Sequence, residues 1–386
     1  MLKRDIDIVW FVGIIFAVLN VFSLSLLFAN SLAGRTDFRH LYTAAYMVRT
    51  GHAHQLYDIE LQKHYQEELV GPDHWPGTIF THPAIETLWF LPFSYMPYRL
   101  AVVVFNFLNI GCLWFASVLI AKKLRGDVSA GRIFAFSFGW SPIVYALLFG
   151  QNSFLLLLLF VFSWRAFDDG KELQAGMWIG LASTLKPQFV VVALIIFVLW
   201  KKMRASAGVL VAGGLAAVIS LLLVGIDGGK DYLLNVIFQM GYSNAVLGVH
   251  PHDMLNIRGL VYGLLGDHHL LVITGLISLA SLVWIARQRA NFPLLVGAVL
   301  LLGYHTLPHD CMLWLIPIMT LVATRNIRVV GFVALFVIGA EVPLFFVEVV
   351  SVVLPSMVAV YLLTRNLAVT TNGDNTREAS LAMSLN

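Results

Sequence analysis

Charge is scarce in this sequence. Of 386 residues 12% are Asp, Glu, Lys or Arg and 59% are hydrophobic, and the mean hydropathy is +0.81. A soluble domain must cover its core with polar surface, and so little polar surface excludes a water-soluble fold. Cysteine is scarcer still. Cys112 and Cys311 both lie in apolar surroundings without metal-ligand spacing, which reads as buried thiols and not as a disulfide or a metal site. The phosphate-cradling glycine patterns Gly-x-Gly-x-x-Gly and Gly-Lys-Ser/Thr do not occur, so nothing here points to ATP or NAD. The net charge of +3 is small, and its placement speaks of topology and not of nucleic acid.

What the chain has in abundance is apolar runs. They fall at 8–30, 83–97, 100–120, 133–148, 153–167, 173–185, 189–200, 205–225, 270–286, 293–305, 312–324, 329–340 and 342–363. Eighteen or more consecutive apolar residues cross roughly 30 Å of hydrocarbon, and a helix satisfies its own backbone while doing so. The fold class is therefore all-α and polytopic. The run 8–30 is long and no small-residue cleavage site follows it, so it is expected to be a first span and not a signal peptide. The run 83–97 is interrupted by prolines and reads as a re-entrant or juxtamembrane helix.

If that run does not cross, the clusters Lys3/Arg4, Lys122/Lys123/Arg125, Lys201/Lys202/Arg204, Arg287/Arg289, Arg325/Arg328 and Arg365 all fall on one side, which should be cytoplasmic. This gives twelve crossings in a single domain over 1–369, with both termini cytoplasmic. The outer face receives a first loop, 31–82, a second large loop, 226–269, and the short turns 150–152, 186–188 and 306–311. Runs of about thirteen residues, such as 173–185, are too short to span unaided and imply a cavity sunk into the outer side. The tail 370–386 is rich in Asn, Thr and Ser and is expected to be disordered.

Most of the polar oddities collect on that outer side. Asp37, in Arg35-Thr36-Asp37-Phe38-Arg39-His40, is either a solvated acid paired with Arg35 or Arg39, or a general base tuned by burial and by those cations. Tyr42 to Arg49 has the pattern of an amphipathic helix lying on the bilayer, with Gly51 to end it and Leu56-Tyr57 to dock the next turn. Lys186, before Pro187, needs an anion if it is embedded, and a phosphate is the natural partner; the alternative is a lysine that snorkels. Gln151 and Asn152 could hold a hydroxyl-rich substrate, and a helix cap explains them equally well.

His305, His309 and Asp310 cluster at another helix mouth. No second His-Glu-x-x-His pair accompanies them, which argues against a zinc hydrolase and for a histidine that neutralises phosphate beside a carboxylate. In the second loop are His250, His252, Asp253, Asn256 and Arg258, of which Arg258 could clasp a phosphate bidentately. His82-Pro83 and Asp267-His268-His269 carry little weight. One acid among convergent cations suits transfer of a sugar from a lipid phosphate, where the leaving phosphate needs its charge stabilised and the acceptor hydroxyl must lose a proton. A transporter or flippase for an anionic lipid-linked substrate would use the same cations, but should show inverted repeats and mid-depth polar residues, and no repeat is evident. A structural assembly factor is a third class.

Asp37-Phe38 with Gly51 and Leu56-Tyr57, Thr81-His82-Pro83 with Leu91-Pro92, Gly150-Gln151-Asn152, Gly176 to Gly180 leading into Leu185-Lys186-Pro187, Asn256 to Arg258-Gly259, and His309-Asp310 stand in the order of a known pattern. Over about residues 8–325 the chain resembles glycosyltransferase family 87, a polyprenyl-phosphate-dependent branch of the GT-C membrane enzymes, and within it the phosphatidylinositol mannoside mannosyltransferases. The resemblance implies a GT-C bundle of about twelve transmembrane helices with short amphipathic helices in the first outer loop. It implies an inverting transfer, often of mannose, from a polyprenyl-phospho-sugar to a lipid or glycan acceptor at the periplasmic face of a bacterial cytoplasmic membrane. By it Asp37 maps onto the general base, and Lys186 and His309 map near the donor phosphate. Arg258 would join them at the phosphate, with Arg39, Gln151, Asn152, Asn256, His305 and Asp310 binding substrate or supporting the site. No cofactor is required by that chemistry; some GT-C relatives use a divalent metal, and no metal site is identified here. The pattern departs at Thr81-His82-Pro83, where a Tyr-Pro-Pro-like run is usual, and in the His-rich second loop.

Overall fold

The computed structural model describes residues 2–72, 79–124, 128–239, 247, 249–323 and 353–364. The apolar run 329–340, the clusters at Arg325/Arg328 and Arg365 and the tail 370–386 lie outside these residues. Every regular element described is helical. In order they are α1 (Leu2–Leu32), α2 (Phe38–Arg49), α3 (Ile59–Val70), α4 (Thr87–Phe90), α5 (Tyr98–Lys123), α6 (Ala130–Phe138), α7 (Ser141–Phe149), α8 (Ser153–Asp168), α9 (Glu172–Ala182), α10 (Pro187–Leu199), α11 (Met203–Asp231), α12 (Ile257–Leu265), α13 (Leu270–Ala286), α14 (Phe292–Leu302) and α15 (Leu315–Ala323). Short 3-10 turns link several of them.

Where the sequence suggests twelve crossings, the described residues hold three helices long and apolar enough to cross a membrane: Gly13–Leu32, Tyr98–Lys123 and Met203–Ile237. The pair α6 and α7 counts as a fourth if taken as one span, bent by 72°. Its break falls at Gly139-Trp140-Ser141-Pro142, where proline can begin a helix but not continue one. The remaining apolar helices run to 10–17 residues. The stretch 83–97 is broken into turns at Ala84–Glu86, Thr87–Phe90 and Leu91–Tyr95, none long enough to cross.

The long helices carry large exposed apolar side chains, among them Val18, Phe22, Phe107, Leu210 and Leu222. That belt suits lipid tails and not water, and with the composition it makes this a membrane protein. Inside the belt α14 is buried on almost every side, from Phe292 to Leu301, as a helix apolar all round should be. Small residues let α9 and α11 touch backbone to backbone. A Cβ on Gly176 would stand 1.9 Å from the Ala205 carbonyl oxygen, and one on Gly208 2.2 Å from that of Leu173.

Three expectations change. The helix after Asp37 exists as α2, but it is packed into the protein: nine of its twelve residues are buried, and Phe38 and Tyr42 join an aromatic cluster with Phe90, Phe93, Tyr98 and Phe105. The second loop is partly helical, since α11 runs to Asp231, a π-helical turn follows at Tyr232–Ile237, and α12 lies within it. Of the two free thiols Cys311 is buried and Cys112 only half-buried.

Candidate active site

The ends of the short helices meet at one cavity of about 450 Å³. Its polar wall includes Asp37, His40, His82, Gln151, Lys186, His305 and His309, and its apolar wall Val191, Val192, Ile237, Leu247, Leu302 and Leu307. Local sequence explains how each polar group arrives there.

Asp37 stands at the start of α2, yet its carboxylate makes no cap hydrogen bond. It accepts one instead from Gln151 Nε2, at 2.5 Å. Gln151 is delivered by Gly150, which ends α7 in the left-handed conformation at φ +66 and whose missing Cβ would lie 2.6 Å from that of Phe38. Ser31 Oγ donates to the Leu148 carbonyl at 2.5 Å and Asn109 Nδ2 to the Gln151 carbonyl at 3.2 Å, so the turn is held from both sides. Burial raises the Asp37 pKa to about 6; the Gln151 donor and the Lys186 charge pull the other way and only offset part of it.

The next residue of that turn holds a second acid. Asn152 Nδ2 donates to Glu86 Oε1, and Glu86 Oε2 meets His82 Nδ1 at 2.5 Å. Glu86 is fully buried, and burial pushes its carboxyl well above the usual range despite Lys186 and Asn152. Burial, and then the Lys186 charge, lower His82 to about 3. Burial thus disfavours the charged form of both partners.

Lys186 leaves the helical path at φ −140, ψ 76, because a residue before proline avoids the α region and Pro187 opens α10. Its ammonium, 5% exposed, lies 3.2 Å from Asp310 Oδ1 and 3.5 Å from His309 Nε2. The expected anion is thus supplied by the protein itself. His309 and Asp310 share a 3-10 turn, Pro308–Trp314, and come within 3.6 Å of each other although adjacent in sequence.

Other candidates stand behind the wall. Arg258 is buried with its guanidinium 4.3 Å from the Tyr304 ring centre, while Tyr304 itself lines the cavity. Asn256 caps α12, accepting from Gly259 N–H at 2.9 Å and donating to the Gly303 carbonyl at 2.5 Å. Arg39 points away, to Gln66 and to the Gly34 and Gly71 carbonyls, and braces the first loop. Among the described residues no group of three or more His, Cys, Asp or Glu is placed to hold a metal ion.

A sequence model of glycosyltransferase family 87 matches residues 80–307. The chain belongs to glycosyltransferase family 87. No curated protein and no solved structure matches it. The family 87 match takes in His82, Glu86, Gln151, Asn152, Lys186, Arg258 and His305, while Asp37 and His309 lie beyond its ends and line the same cavity, and Asp310, also beyond them, pairs with Lys186. Sequence reasoning did not single out His40 or Glu86 and gave His82 little weight, whereas His40 and His82 line this cavity and Glu86 meets His82. The available signal was a lone acid in an apolar stretch, four residues from a histidine.

Proposed function

We propose that this glycosyltransferase moves a sugar, with mannose the first candidate, from a polyprenyl-phosphate carrier to a hydroxyl of a lipid or glycan acceptor, with inversion. The observation that supports this reading is the presence, in one cavity with an apolar wall, of a half-buried acid of raised basicity and a buried ammonium. The carrier lipid lies along Val191, Val192, Ile237, Leu302 and Leu307, and its phosphate sits at Lys186 and His309. The acceptor oxygen attacks the anomeric carbon as the bond from that carbon to the phosphate oxygen breaks. The hydroxyl proton passes to the Asp37 carboxylate, and the electron pair leaves with the phosphate. One displacement inverts the centre, and the leaving charge falls beside Lys186. Gln151 keeps the Asp37 carboxylate aimed. In this reading the chain is a GT-C bundle of about twelve spans in a bacterial cytoplasmic membrane, with both termini cytoplasmic and the cavity open to the outer face.

The test is transfer of label from a panel of polyprenyl-phospho-sugars into lipid extract by purified protein, run beside Asp37→Asn and Lys186→Ala. Label should enter a new product with the intact chain. Asp37→Asn should retain the fold and lose about 10²-fold or more in turnover, and Lys186→Ala should weaken donor binding as well as rate. Normal turnover in the Asn variant removes Asp37 as the base. Transfer only from nucleotide sugars overturns the carrier, and no transfer by folded protein from any donor shifts the reading to a transporter of lipid-linked sugars.

A further inference from the structure

Two imidazoles in the cavity wall have no part in the displacement. His40 is one helical turn from Asp37 on α2, on the same face. It is 6% exposed and lines the cavity, yet neither ring nitrogen has a hydrogen-bond partner among the described residues. Buried polar groups are nearly always paired, so an orphaned imidazole beside a cavity marks a ligand that completes it. Its ring centre is 5.7 Å from that of His82. His82 is anchored through Nδ1 by Glu86, which is held in turn by Asn152, so Nε2 is the nitrogen left to the cavity that the ring lines.

Rings whose burial disfavours the charged form are poorly suited to a phosphate, and in the reading above Lys186 takes it. A neutral His40 offers one N–H donor and one bare-nitrogen acceptor, and His82 adds its remaining Nε2, a complement to hydroxyls that both give and receive. Inversion also requires the sugar ring to lie between the base and the leaving phosphate, that is, between Asp37 and Lys186, in the cavity these histidines line. We infer that His40 and His82 form a subsite for hydroxyls of the transferred sugar and determine which sugar the enzyme accepts. This rests on the transferase reading above. The Glu86–Asn152 support makes His82 the rigid half; His40, without a protein partner, is the half that the sugar itself must satisfy.

The experiment compares kcat/KM for the transferred donor with that for donors deoxygenated singly around the ring, in the wild type, His40→Phe and His82→Phe, with His40→Gln and His82→Gln as polar counterparts. The wild type should disfavour at least one deoxy donor by roughly 10-fold or more, since losing the sugar hydroxyl strands a buried polar group. In the matching Phe variant the intact donor should fall toward the deoxy donor, the ratio closing to within about threefold, and Gln should restore part of it. A merely structural role would lower all donors together. Deoxy penalties that persist in both Phe variants, or in His40→Leu and His82→Leu if the Phe proteins do not fold, overturn the subsite while leaving the transferase standing. Failure of the wild type to transfer from any donor overturns the transferase reading, and the subsite with it.

Discussion

An aspartate in water ionises near 3.8, whereas Asp37 holds its proton to about pH 6 because burial outweighs both Gln151 and Lys186. A carboxylate is a proton acceptor only when ionised, so transfer should rise with pH through about 6 and level above it, and Asp37→Asn should abolish that rise. A pH–rate profile of kcat/KM reads this directly; a profile flat from pH 5 to 8 would show that another group takes the proton. At this scale the sequence was legible in part. Asp37, Lys186, His309 and Asp310 were conspicuous because charges are so rare among apolar runs. His40 and Glu86 were not, since their importance comes from burial and from partners far along the chain, such as Asn152, 66 residues from Glu86. Arg258, Asn256 and Arg39 were equally visible as polar residues, but the side chains they meet could not be read: a tyrosine face, a helix start and loop carbonyls.

Among the elements, the turn between α7 and α8 has the narrowest tolerance. Gly150→Ala puts a methyl group into the Phe38 side chain and a Cβ on a left-handed residue. Strain of this kind is on the order of 1–3 kcal/mol. The expected outcome is a lower melting temperature together with a larger fall in kcat than that alone would cause, because Gln151 and Asn152 move off their acids; melting and initial rates on one preparation check it. An activity loss no greater than the loss of folded protein would mean the turn is structural only. Helix positions followed the apolar runs well where the start was set locally, as with Pro187 opening α10. The sharp break at 139–142 and the burial of α2 were set by packing between distant segments, to which periodicity is blind.

For the molecule as a whole, the outward face of the long helices decides behaviour. Of the best window in Gly13–Leu32 6% is buried, and of that in Met203–Ile237 17%, so most of these apolar residues lie outside the core that the described residues form. The protein should stay in the membrane pellet through an alkaline carbonate wash and leave it only with detergent, which fractionation and immunoblotting would show; release by carbonate alone would contradict a spanning fold. Composition announced this much. The number of crossings was harder to read, because an apolar run shows its length and not whether its helix bends or stops half-way.

The turn at Gln151 and Asn152 has a further consequence. One side chain steadies the acid assigned to the chemistry, and its neighbour steadies the acid behind the sugar-reading histidine. In the roles proposed above, speed and selectivity are therefore tied to a single dipeptide. A lineage cannot revise its choice of sugar there without disturbing its rate, so new specificities in descendants of this enzyme should arise first at His40, the member of the wall whose ring nitrogens have no hydrogen-bond partner among the described residues.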